Sequence, residues 1–212
     1  MRFRDRLDAG QQLAGRLTAY ANHANVVVLG LPRGGVPVAA EVARMLQAPL
    51  DVFVVRKLGV PGHEELAMGA IASGGVRVLS EDLIDELGIP RAAVELAAAR
   101  QHVELERRER LYRGDRQPPR LHDRIVIVID DGLATGATME AAVAAITAHH
   151  PARIVVAVPV GAVESVRRLA AIADEVVCAE TPEPFTAVGL WYENFAQTTD
   201  EEVTALIESR SR

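Results

Sequence analysis

The chain reads as an α/β domain built on a doubly wound, mostly parallel sheet, and two observations predict this. Apolar runs rich in β-branched residues alternate along the chain with helical patterns, the sequence mark of strands joined by crossover helices. The run Val126-Ile127-Val128-Ile129 carries no polar residue on either face, as a strand buried on both sides of a parallel sheet requires. Size and composition agree. The 212 residues suffice for one domain with a packed core, and 49% of them are hydrophobic, so global disorder is excluded on composition.

In chain order, Val26-Val27-Val28-Leu29 is the first strand, and Val36 to Leu46 a helix with Val38, Val42 and Met45 on one side. Asp51 to Val55 reads as a second strand that ends in Arg56-Lys57, with a loop containing Gly59 and Gly62 after it. Val76 to Leu79 is a short strand, and a charge-rich helix follows from Arg91 to Tyr112 with Val94, Ala97, Ala98 and Leu105 inward. Gln117-Pro118-Pro119 breaks the pattern before Val126 to Ile129. Met139 to Ile146 continues as a helix, Ile154 to Val158 and Glu175 to Cys178 are strands, and Ser165 to Ala173 is the helix between them. The domain is expected to span residues 1–212.

The chemistry concentrates where the Val126 strand ends. Asp130-Asp131-Gly132-Leu133-Ala134-Thr135-Gly136-Ala137-Thr138 places two carboxylates before a small-residue turn that opens a helix. Such a turn lets backbone N–H groups converge on an anion, and the threonine hydroxyls add donors. Adjacent acids suit the hydroxyls of a sugar and a hydrated Mg²⁺. The residues thus fit a sugar phosphate better than phosphate alone.

This segment resembles the phosphoribosyl pyrophosphate (PRPP) signature of the type I phosphoribosyltransferases. The resemblance implies that Asp130 and Asp131 address the ribose hydroxyls and hold Mg²⁺ through water. It implies that Ala134, Thr135, Gly136, Ala137 and Thr138 wrap the 5′-phosphate. The first strand runs into Gly30-Leu31-Pro32-Arg33-Gly34-Gly35, which the residues alone allow to be either a tight turn or a phosphate clamp. In the family this place carries the pyrophosphate loop, often with a non-proline cis peptide, so Arg33 and Gly34 are expected to hold pyrophosphate. Lys57, with Arg56, would neutralise charge on the leaving group, under a lid formed by the following loop. A small hood from residues 1–10 and 180–200 is expected over the strand ends. Within it, Trp191 and Tyr192 are candidates to stack on an acceptor, although a satellite hydrophobic cluster explains the same aromatics equally well.

One position departs from part of the family. Ala134 stands where enzymes acting on 6-oxopurines carry an acid, so the proton chemistry of such an acceptor has no obvious agent here; His63 and Glu65 are the fallback groups. The expected activity is Mg²⁺-dependent transfer of a 5-phosphoribosyl group from PRPP to a small, nitrogenous acceptor, by a homodimer. The rival is a PRPP- or nucleotide-sensing regulator on the same fold. The formal net charge of −6 disfavours nucleic-acid binding. Cys178 is the only cysteine, and a cytoplasmic setting with no secretory signal and no membrane is expected. A P-loop nucleotidase is set aside because G-x-x-x-x-G-K-[ST] is absent.

Overall fold

The computed structural model describes residues 2–209, apart from the side chain of Glu65. Its centre is a parallel sheet of β1 (Val26–Gly30), β2 (Leu50–Val52), β6 (Ile125–Ile129), β7 (Arg153–Val160) and β8 (Glu175–Glu180), in the order β2-β1-β6-β7-β8. The register Val26↔Ile125 through Gly30↔Ile129 sets the ends of β1 and β6 side by side. Alternation along β6 assigns the two faces. Ile127 and Ile129 enter one core with Val36, Val42 and Leu46, while Val126 and Val128 enter the other with Met139, Val143 and Ile146.

From β1 the chain crosses through α2 (Gly35–Leu46) to β2 on one side; from β6 it crosses through α5 (Ala137–Thr147) and α6 (Val163–Ala170) to β7 and β8 on the other. The crossovers diverge between β1 and β6, and the crevice beyond such a divergence is where open α/β sheets bind ligands. On α2, Val38 and Val42 are buried as expected, but Met45 is 42% exposed. It lies in the last turn, just before Gln47 ends the helix in the left-handed conformation at φ 54°.

The second strand departs from the sequence expectation. β2 stops at Val52, and after Phe53 and Val54 the chain enters a separate antiparallel sheet of β3 (Val55–Val60), β4 (His63–Ala72) and β5 (Val76–Leu79). Arg56 and Lys57 are therefore hairpin residues, not the end of a parallel strand. Continuous apolar character across residues 52–55 hides the break, because both sheets bury that stretch. The segment expected as a loop is the β3–β4 hairpin; Gly62 turns it at φ +81°, and a Cβ on Gly59 would come within 2.7 Å of the Glu64 carbonyl oxygen. This small sheet lies between α5 and α4 (Arg91–Arg113).

Helix α4 buries Val94, Ala98, Leu105 and Tyr112, with Ala97 half-buried. Its basic run is an ion-paired face: Arg107 and Arg108 both hold Glu104, and Glu109 meets Arg113. Two further helices, α1 (Arg6–Arg16) and α7 (Asp200–Ser209), pack against α2. The short α3 (Glu81–Glu86) precedes α4. No described helix is long and apolar enough to cross a membrane.

Candidate active site

Asp130 and Asp131 leave β6 at the divergence point, directly beside the turn from β1 into α2. The Leu31 N–H donates to the Ile129 carbonyl at 2.9 Å and fixes that turn against β6. Two glycines make the approach possible. A Cβ on Gly35 would come within 2.6 Å of the Ile129 carbonyl oxygen, and one on Gly34 would sit 2.0 Å from Asp131 Oδ2. The peptide between Pro32 and Arg33 is cis, as the resemblance led one to expect.

Beyond Asp130, residues 132–139 line a cavity of about 170 Å³ together with Val188. Asp130 and the segment 134–138 thus share one space, the arrangement expected for a sugar phosphate. Gly136 precedes α5 in the left-handed conformation at φ 77°, and the first N–H groups of a helix have no acceptor within it. Donors therefore converge where an anion would sit.

The acids are not equivalent. Burial, with the neighbouring Asp131 charge, holds the Asp130 carboxyl well above the ordinary carboxylate range, opposed by the Asp131 N–H that donates to it at 2.9 Å. Burial also raises Asp131, but the Arg6 guanidinium opposes it, with Nε at 2.9 Å and Nη2 at 2.8 Å from Oδ2. Arg6 is itself held: it donates to the Ala196 carbonyl at 2.7 Å and lies 4.0 Å from the Phe195 ring centroid.

The two segments expected to form a hood do meet here. Phe3 and Trp191 pair through a backbone hydrogen bond of 2.8 Å, and Phe3 packs on Tyr192 with ring centroids 5.5 Å apart. Tyr192, however, is not an exposed stacking surface. It is 4% exposed and donates its hydroxyl to the Asp131 carbonyl at 2.6 Å, so it supports the acid from below. Trp191 is half-buried, its Nε1 without a hydrogen-bond partner. The aromatic cluster mainly fastens the two segments to the end of β6.

The cations are spread out. Arg33 turns toward α7, where its Nη1 lies 4.0 Å from Asp200 Oδ1, an oxygen that also accepts from the Tyr112 hydroxyl at 2.5 Å. Lys57 lines a groove of about 270 Å³ with Glu140 and Ala137, on the β3–β5 side of the turn that opens α5. Arg56 is engaged by Gln101 of α4 at 2.9 Å. His63 is exposed at the start of β4; the side chain of Glu65 is outside the described residues.

Arg6 and Asp200 fall within the segments expected as a hood, but nothing in the sequence singled out either one, since each reaches the site across more than a hundred residues of chain. Among the described residues no group of three or more His, Cys, Asp or Glu side chains converges as a metal site. The acid pair nonetheless fits a hydrated Mg²⁺ whose other ligands come from substrate oxygens, the way this ion is usually held.

Comparison with known proteins identifies the family. The family described as "Phosphoribosyl transferase domain" matches residues 3–192. Proteins of two Mycobacterium tuberculosis strains, each named a "Putative phosphoribosyl transferase", are 52% identical over 210 residues, 99% of this chain and 47% of theirs. The chain thus spans about half the length of these curated relatives. The crystal structure of TT1426 from Thermus thermophilus superposes with a TM-score of 0.91 at 46% identity, covering 100% of both chains. The chain belongs to the phosphoribosyltransferase family.

Proposed function

We propose that this protein transfers the 5-phosphoribosyl group of PRPP to a small nitrogenous acceptor, with Mg²⁺ and with release of pyrophosphate. The observation that carries this reading is the single cavity shared by Asp130 and the segment 134–138. The cradle would take the 5′-phosphate. Asp130 would accept from the ribose hydroxyls, joined by Asp131 through its oxygen not engaged by Arg6. Arg33 and the Gly34 amide would hold pyrophosphate, with Lys57 adding positive charge. The bond from C1 to the pyrophosphate oxygen breaks and one from C1 to the acceptor nitrogen forms. Positioning and charge stabilisation on the leaving group supply the acceleration. A bound Mg²⁺ would neutralise substrate oxygens, with Asp130 and Asp131 holding its waters.

Calorimetry tests the donor half: PRPP with Mg²⁺ should bind without any acceptor, and ribose 5-phosphate more weakly. Absence of binding at millimolar PRPP would end this reading. PRPP binding with no pyrophosphate release across a broad acceptor panel would favour a sensor instead.

Arg33→Ala should cost about 1.5–3 kcal/mol of charge-assisted binding, roughly a 10- to 150-fold loss of PRPP affinity. Ribose 5-phosphate, lacking pyrophosphate, should be unaffected. Equal weakening of both ligands would reassign Arg33 to supporting the fold.

Ala134 predicts the acceptor by exclusion. It cannot move a proton, and general acid–base assistance is worth roughly 10²–10⁴-fold in rate. Hypoxanthine and guanine should therefore show low kcat/KM at saturating PRPP, while adenine-like bases and non-purine amines remain open. Efficient turnover of either 6-oxopurine would overturn this.

A further inference from the structure

Three consecutive carbonyls of the cradle are capped from outside by the segment that leaves β7. The Leu133 carbonyl accepts from the Ala162 N–H at 2.9 Å, and the Ala134 carbonyl from the Ser165 hydroxyl at 2.6 Å. The Thr135 carbonyl accepts from Arg168 Nη2 in a short contact. Ser165 is 3% exposed, and Arg168 is oriented by Glu140 of α5, 3.0 Å from its Nε. None of Ala162, Ser165 and Arg168 lines the cradle cavity.

These peptides are trans, since cis bonds among the described residues occur only before Arg33 and Pro184. A trans peptide points its carbonyl and its N–H in opposite directions. Fixing the carbonyls of Ala134 and Thr135 toward α6 therefore aims the N–H groups of Thr135 and Gly136 away from it, toward the cavity. A donor on the carbonyl also polarises the N–H of the same peptide, which strengthens the bond that N–H makes.

We infer that Ser165 and Arg168 are positioning residues that hold the cradle open in a phosphate-ready geometry, so that α6 sets affinity for the 5′-phosphate without touching it. This rests on the phosphoribosyl reading above. It explains why Ser165 is buried with its oxygen on the turn, and why a Cβ on Gly136 would meet Ser165 Cβ at 3.3 Å. Helix and turn are packed as one unit.

The test compares ribose 5-phosphate with Mg²⁺-pyrophosphate by calorimetry in the wild type, Ser165→Ala and Arg168→Ala. Loss of one net hydrogen bond should weaken ribose 5-phosphate about 3- to 12-fold in each variant and leave pyrophosphate within about twofold. In the ligand-free proteins, the backbone amide proton resonances of Thr135 (for Ser165→Ala) and Gly136 (for Arg168→Ala) should shift, because each shares a peptide with the carbonyl that lost its donor. Arg168→Lys, which keeps the charge and one donor, should recover part of the affinity.

Arg168 is exposed over 45% of its side chain, so Arg168→Ala remains informative where Ser165→Ala does not fold. Unchanged ribose 5-phosphate affinity, or equal weakening of both ligands, overturns the inference. If the wild type binds neither ligand, the phosphoribosyl reading has failed; the amide shifts then still report whether the clamp exists.

Discussion

Replacing Asp130 with asparagine is expected to raise the melting temperature of the ligand-free protein while removing its affinity for PRPP. Burial and the adjacent Asp131 hold the Asp130 carboxyl well above its ordinary range. A carboxyl raised in the native state keeps a proton that the unfolded chain releases. It therefore subtracts stability once pH rises above the unfolded value of about 3.9, increasingly so until the native value is passed. Asparagine keeps the oxygen that accepts the Asp131 N–H and removes the charge. The gain in melting temperature should be small near pH 4 and wider at pH 8, with about 2–4 °C per kcal/mol for a chain of this size. PRPP affinity should fall about 100-fold or more, two charge-assisted contacts at roughly 1.5 kcal/mol each. Thermal melts across pH and Mg²⁺-PRPP titrations check both halves. A lower melting temperature at pH 8 would show that the acid is a structural element, and retained affinity would move the ribose contact elsewhere.

Arg113→Ala should produce the largest loss of stability. This guanidinium is 6% exposed, reaches both oxygens of Asp51 at 3.2 and 3.1 Å, and also holds Glu109 and the Val52 carbonyl. Burial raises the Asp51 carboxyl and Arg113 opposes that rise, so truncation strands a buried acid. Breaking such a pair costs about 3–5 kcal/mol, or roughly 6–20 °C in melting temperature. The consequence reaches the site. The preceding Tyr112 donates to Asp200, and Asp200 faces Arg33, so loosening the end of α4 should weaken pyrophosphate binding beyond the loss expected from partial unfolding. The double variant Asp51→Asn/Arg113→Met should recover part of the melting temperature, because the buried acid no longer lacks a partner while the partly exposed Glu109 still loses its own. A loss below about 1 kcal/mol for Arg113→Ala, the size of an exposed pair, would show that the stranded acid finds water.

The strand, acid pair and small-residue turn of the candidate site were legible because they are local. A β-branched strand, two acids and a small-residue turn occupy consecutive positions from Val126 to Thr138, and strand, turn and helix all follow from short-range sterics. The Arg33-Gly34 turn was legible for the same reason. The hairpin was not. Residues 52–60 carry apolar and polar residues compatible with one strand, and only their pairing, Val52 with β1 and Val55 to Val60 with β4, shows that two sheets share them. Tyr192 was misplaced on similar grounds: an aromatic near a site suits a stacking face and a buried strut equally well, and its bond to the Asp131 carbonyl decides between them.

The sequence by itself determined the parallel core and the residues of the cradle and acid pair, because each depends on neighbours within one strand–turn–helix unit. Only the tertiary structure decided how those groups are charged and aimed. Arg6 on Asp131, Asp200 beside Arg33, and Ser165 and Arg168 on the cradle carbonyls all come from other elements. Their effect depends on distance and burial in the folded chain, and neither quantity is a property of a short stretch of sequence.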